Sequence, residues 1–181
     1  MAYSEIFSDL SAHFIKGMMV HDQMANYYDF LSLKGYKRCH EYHFKKESCS
    51  YRKLNRFFIN HYNKLIMEKS VSDPNIIPES WYRYSRDEID VQTKKNAVKN
   101  GLEQWIRWET ETLTKLQQAQ LDLYDDGEVA SALFINKFIK NVECELKDAK
   151  KKQIELAAVE YDMSYILGEQ KRIHDEYKSM L

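Results

Sequence analysis

The sequence predicts an all-α chain folded as a bundle of long helices. Three observations carry this. Of 181 residues only five are Gly and two are Pro, too few for the turns that an all-β chain needs about every eight to twelve residues. Apolar residues recur at spacings of three and four along most of the chain, which marks one face of an α-helix. Hydrophobic residues make up 44%, which a chain of this length can gather into a full core.

The first helix is expected over residues 4–32, with Phe7, Leu10, Phe14, Met18, Ala25 and Tyr28 on one face, His21 on the same stripe and Asp22 beside it. A break follows near Gly35. The second helix, 36–68, carries the stripe Tyr36, His40, His43, Glu47, Ser50, Leu54, Phe57, His61 and Leu65. Residues 70–86 hold both prolines and form a connector long enough to cross the whole bundle, joining two parallel helices. The third helix, 87–124, is announced by Ser85 and Glu88 as a capping box. It runs through Val91, Val98, Leu102, Trp105, Glu109, Thr112, Leu116, Ala119 and Leu123 to Gly127, a C-terminal cap. The fourth, 128–150, is striped by Ala132, Ile135, Ile139, Val142, Leu146 and Ala149. The helical pattern continues to Leu181. It leaves open whether this stretch prolongs the fourth helix or turns at Gly168 into a fifth. One domain over 1–181 is expected, with a four-helix core in 1–150 and a C-terminal helical extension in 151–181.

Charge and cysteine usage narrow the function. The 27 basic and 28 acidic residues are interspersed, without the basic stripe of a nucleic-acid binder. The run Lys147–Lys152 reads as a solvated helix face. No apolar run approaches the roughly 18 residues that span a membrane, and the first residues show no signal-peptide pattern. Cys39 and Cys49 stand ten apart on one expected helix, about 15 Å along it and beyond disulfide reach. With Cys144 they make an odd, sparse count that fits a reducing compartment, so a cytoplasmic location is expected. Cys49 and Cys144 read as core residues.

The polar interruptions of the stripes point to chemistry. Glu47 and Glu109 each sit mid-helix among large apolar residues, where a carboxylate must be paired or bind a cation. His43 precedes Glu47 by one turn and His40 precedes His43 by three residues. Acids and imidazoles converging from several helices are what a carboxylate-rich metal site requires. The competing reading pairs these acids with Arg38, Arg52 or Arg107.

The layout of four helices with a long crossover between the second and third resembles the ferritin-like superfamily. The stretches Lys34–Leu54, Gly101–Leu123 and Val129–Ala149 look like its second, third and fourth helices, and the likeness covers roughly residues 10–150. What the resemblance implies is a di-metal carboxylate site. The second-helix Glu falls on Glu47, with Ser50 where the family has His. The third-helix Glu falls on Glu109, and the first-helix Glu most nearly on Asp22. The fourth-helix position falls among Asn141, Glu143 and Glu145. The expected metal ligands are Asp22, His43, Glu47, Glu109 and Glu143, with His21 as a substitute. The implied metal is iron or manganese, and the implied activity is oxidation of Fe(II) by oxygen or peroxide. Storage implies a hollow homo-oligomer. The alternative is a metal-free bundle that serves as a scaffold or interaction module. For it, Trp81-Tyr82-Arg83-Tyr84 is a candidate contact patch, since Trp, Tyr and Arg concentrate at binding hot spots. A coiled-coil contact through residues beyond 150 is a third expectation.

Overall fold

The computed structural model describes residues 3–178 and Met180, all but the side chain of Ser80. Five α-helices hold most of them: α1 (Tyr3–Phe30), α2 (Lys34–Tyr62), α3 (Val91–Asp125), α4 (Val129–Ala158) and α5 (Met163–Lys178). Two short 3-10 turns, Glu79–Arg83 and Arg86–Glu88, interrupt the crossover, and the described residues include no strand. No described helix is long and apolar enough to cross a membrane.

The stripes read from the sequence face inward. Every named position on α4 is buried, as are those on α3 except Val91, which is exposed. α1 and α2 form one antiparallel hairpin and α3 and α4 another. α2 stops earlier than expected. Asn63 adopts a left-handed conformation (φ 53°) and its N–H bonds the Ile59 carbonyl, so Leu65 lies outside the helix and is exposed.

The crossover follows α1 along its length. Lys69 pairs with Asp9, Gln23 donates to Asp73 and accepts from the Ile76 N–H, and Arg86 donates to the Asp29 carbonyl. α2 and α3 therefore run parallel, as the length of the connector predicts. The Ser85–Glu88 capping box is present, but it caps the 3-10 turn Arg86–Glu88. Asp90 caps α3, its carboxylate accepting from the Thr93 N–H at 2.6 Å. Trp81 is half-buried against Tyr27 and Phe30, while Tyr82 and Tyr84 of the same stretch are exposed.

The C-terminal stretch prolongs the fourth helix and then turns into a fifth, but the turn is not at Gly168. α4 continues to Ala158, and a fifth helix follows. The reversal uses no glycine: Glu160 and Tyr161 are left-handed (φ 51° and 53°), and the Tyr161 N–H closes onto the Leu156 carbonyl. Asp162 then caps α5 by accepting from the Ser164 and Tyr165 N–H groups. Gly168 lies inside α5. α5 does not protrude. It docks on α2 of its own chain, burying Ile166 and Ile173 in the core, with Tyr36 donating to the buried Glu169. Cys49 and Cys144, expected in the core, are exposed, and only Cys39 is buried.

Gly35 sets the closeness of this docking. Its N–H donates to Gln170 Oε1 at 3.0 Å, and a Cβ there would lie 1.8 Å from the Gln170 carbonyl oxygen. Gly35→Ala must therefore push α5 off α2. It is expected to lower the unfolding free energy by about 2 kcal/mol, measured by chemical denaturation. An unchanged midpoint would show that α5 contributes little to the fold.

Candidate metal centre

Two apolar clusters fill the bundle. One contains Val20, Met24, Tyr28, Tyr36, Leu102 and Trp105, and the other Phe7, Phe14, Leu54, Leu116, Ile135 and Phe138. Between them the stripes of four helices turn polar at one level. α1 supplies His13, Gly17 and His21, and α2 supplies His40, His43 and Glu47. α3 supplies Glu109 and Thr112, and α4 supplies Glu145. All but Glu145 are buried, Glu109 to 1% exposure.

The layer is closely connected. His21 and His40 share a hydrogen bond between their Nδ1 atoms at 3.0 Å. This leaves His21 Nε2 facing Glu109 Oε1 at 3.8 Å. Trp105 donates its indole N–H to that same Glu109 oxygen at 2.9 Å, and Trp108 donates to Glu47 Oε1 at 3.4 Å. Gly17 makes room for Glu47: a Cβ on Gly17 would sit 2.7 Å from the Glu47 carboxyl. His43 Nδ1 lies 3.4 Å from Glu145 Oε2, and Lys46 pairs with the other Glu145 oxygen.

Four atoms in this layer are buried without a hydrogen-bond partner: His13 Nδ1 at its lower edge, and His21 Nε2, His43 Nδ1 and Glu109 Oε2 at its centre. His21, His43 and Glu109 form the central group. Ligand atoms of these same three residues lie within 4.8 Å of one another. Nitrogen and oxygen donors to a transition metal lie about 2 Å from it, so one ion could be held by these three only after side-chain rotation.

Burial sets the protonation pattern. It pushes His21 and His40 well below the ordinary histidine value, helped by the neighbouring His43, so both are neutral and can present a lone pair. Burial opposes charge on His43 too, but its contacts with Cys39 and Glu145 prevail and raise it well above that value. Burial, then the charges of Glu109 and Glu145, push Glu47 well above the carboxylate range. Burial and Glu145 push Glu109 up to about 7. Glu145 moves the other way: burial opposes its charge, but His43 and Lys46 outweigh that and hold it low.

The expected ligands separate into two groups. His43, Glu47 and Glu109 enter the layer. Asp22 and Glu143 do not: both are exposed, Asp22 accepting from Asn26 on the surface of α1. Their places are taken by His21 and Glu145. One residue along a helix is a rotation of about 100°, so His21 points inward where Asp22 points out. Glu145 lies one turn above the buried Val142 and beside Leu146. The structure pairs neither Glu47 nor Glu109 with Arg38, Arg52 or Arg107; Trp105 and Trp108 serve instead. Two indoles spaced three apart, one turn and one residue before an inward acid, were the signal for those donors.

Comparison with solved structures places this arrangement in a known fold. The chain superposes on an open-pore ferritin from the hyperthermophilic archaeon Archaeoglobus fulgidus with a TM-score of 0.79 and 14% sequence identity, covering 95% of this chain and 94% of that one. A humanized archaeal ferritin gives 0.79 and 15% with the same coverage. An iron-soaked variant of PmFTN gives 0.75 and 12%, covering 93% of this chain and 96% of that one. No protein-family model matches the sequence, and no curated protein matches it either. The chain has the ferritin-like four-helix-bundle fold.

The raised pKa of Glu109 makes a stability prediction. Between its ordinary value of 4.5 and about 7 the unfolded chain has released a proton that the folded chain keeps, so stability falls as pH rises through that window. Glu109→Gln cannot ionise and still accepts from Trp105. In chelator, the variant is expected to be more stable than the parent at pH 8, on the order of 1–3 kcal/mol, with much of the gain gone at pH 5. Denaturant titration at the two pH values measures this, and equal gains at both would rule out a charge effect.

Proposed function

We propose that this chain binds a single divalent transition metal inside its bundle through His21, His43 and Glu109, and that iron is the metal it handles. The observation that carries this reading is that His21, His43 and Glu109, each with a buried atom that lacks a hydrogen-bond partner, form among the described residues the one His/Glu group close enough to share an ion. Unpartnered buried polar atoms are rare and costly, and a cation would satisfy all three together. Two imidazoles and one carboxylate form a donor set used for non-haem Fe(II), and manganese accepts the same ligands. Iron is favoured by the fold neighbours, among them the iron-soaked PmFTN variant.

The residues fit one ion rather than a bridged pair. Ser50 stands where the resemblance expects a second-helix His. Glu47 Oε1 and Glu109 Oε1 already accept from indole N–H groups, and Lys46 engages Glu145. Bound iron would supply one-electron exchange with oxygen or peroxide. The chain's own groups do the rest. His40 fixes the His21 ring through the Nδ1 contact, so that Nε2 faces the site. Trp105 fixes the Glu109 carboxylate. Glu47, held protonated by burial, keeps a proton beside the centre. Apolar residues above and below exclude water. Storage of the oxidised product would further require a hollow assembly of copies of this chain.

The metal-free scaffold remains the second reading, favoured by the indole donors and the Lys46–Glu145 pair, which satisfy part of the layer without any ion. Metal analysis separates the two. Protein purified without chelator and incubated anaerobically with Fe(II) is expected to hold about one ion per chain. His21→Ala and Glu109→Gln should lose it, while Asp22→Ala and Glu143→Ala should keep it. Light scattering on the same samples reports the assembly. No retained iron in the parent protein would leave the scaffold.

A further inference from the structure

Two openings lead from solvent towards the polar layer. The larger, about 160 Å³, lies between α2, α3, α4 and α5 and is lined by Tyr42, His43, Trp105, Glu145 and Tyr177, with the exposed acids Asp148 and Glu176 also on its wall. The smaller, about 20 Å³, lies on the other side and is lined by Glu47, Ser50 and Asn141. Lys46 and Glu145 line both. A cation that comes from solvent by either opening passes this ion pair, and neither opening is lined by His21 or Glu109.

The pair is built to be displaced. Glu145 is the acid of the layer that keeps contact with solvent, its side chain 14% exposed, and both of its oxygens are taken, one by Lys46 and one facing His43. Lys46 is 34% exposed. Its ammonium lies 5.7 Å from the centre of the Tyr42 ring, a second seat that it can occupy without Glu145. Its charge also acts on Glu109 and His21, so in the metal-free chain it offsets the negative charge of the layer. A divalent ion in the site would reverse that: the two cations repel, and the carboxylate that Lys46 holds already lies 3.4 Å from His43 Nδ1. A flexible four-carbon stem carries a lysine ammonium out to water readily.

We propose that Lys46 is an internal competitor for the metal, occupying Glu145 in the metal-free chain and giving it up to the incoming ion as a fourth ligand. This rests on the metal site proposed above and adds what regulates access to it. No covalent step is involved: one ion pair is exchanged for a metal–carboxylate bond, and Lys46 moves to solvent or to Tyr42.

Cobalt(II), which is stable to air and whose visible absorption reports its coordination number, is the probe. It is titrated into the full chain and into Lys46→Met, Lys46→Arg, Glu145→Gln and the double variant Lys46→Met/Glu145→Gln, with circular dichroism confirming the helical fold of each. The expected result is cobalt bound about tenfold more tightly by Lys46→Met than by the parent. Lys46→Arg should show no gain. The double variant should bind no more tightly than Glu145→Gln alone, because the gain works through Glu145, and both should lose one ligand in the cobalt spectrum. Equal or weaker binding by Lys46→Met, with the parent binding one ion, overturns the competitor role and leaves the site. A gain that persists in the double variant also overturns it, since the charge would then act without Glu145. No binding by parent or variant removes the metal site and this inference with it.

Discussion

The constraint on which the rest of this structure depends is a layer of acids and imidazoles buried across the middle of an apolar bundle. It divides the core into two hydrophobic clusters that share helices but are separated at that level. A carboxylate taken out of water is unfavourable by several kcal/mol unless partners replace its hydration. Each neighbour of the layer can be understood as such a replacement. Trp105 and Trp108 donate N–H groups to the two innermost acids, and both indoles also pack into the upper cluster, so one residue type meets the polar and the apolar demand together. Gly17 yields the volume that the Glu47 carboxyl needs. His13 and Thr112 close the lower edge by bonding each other at 2.8 Å, with His13 stacked on Trp108.

The partners supplied by the chain fall short of the demand, and most of the shortfall is local. Three of the four unpartnered atoms in the layer belong to His21, His43 and Glu109, which come from α1, α2 and α3 and lie close enough to share one ion; the fourth, His13 Nδ1, lies apart from them. In the metal-free chain burial keeps His21 neutral beside Glu109, whose charged form is disfavoured by burial and by Glu145, while contacts with Cys39 and Glu145 favour the charged form of His43.

Much of this was legible in the sequence, and the failures have a common cause. The helix stripes gave the bundle and its crossover, because a stripe averages over many residues and tolerates an error at any one of them. The four polar positions in the α2 stripe gave the level of the site, and Glu47, Glu109 and His43 with it. Single-residue assignments at the edge of a stripe had no such averaging. Asp22 was preferred to His21 for its chemistry, and Glu143 to Glu145 with no periodic ground; a step of one or two residues turns the side chain from the core to solvent. Lys46 was invisible for the opposite reason, since a lysine next to a buried acid reads as a solvated position. The α4–α5 reversal escaped because Glu160 and Tyr161 adopt left-handed backbone without the glycine that usually announces it, and the capping box at Ser85 was read correctly but assigned to the wrong helix.

The docking of α5 on α2 has a consequence for how the chain acquires this shape. Both hairpins are built from neighbouring helices, so their contacts are short in sequence and form quickly. α5 is different: its partners Gly35 and Tyr36 lie more than 130 residues upstream, at Gln170 and Glu169. During synthesis the first hairpin must wait, with its Tyr36 edge and the face around Cys39 uncovered, until α5 has left the ribosome. The final assembly step is therefore the docking of α5 on the start of α2, and the slowest phase of refolding is expected to report on α5 rather than on the bundle it completes.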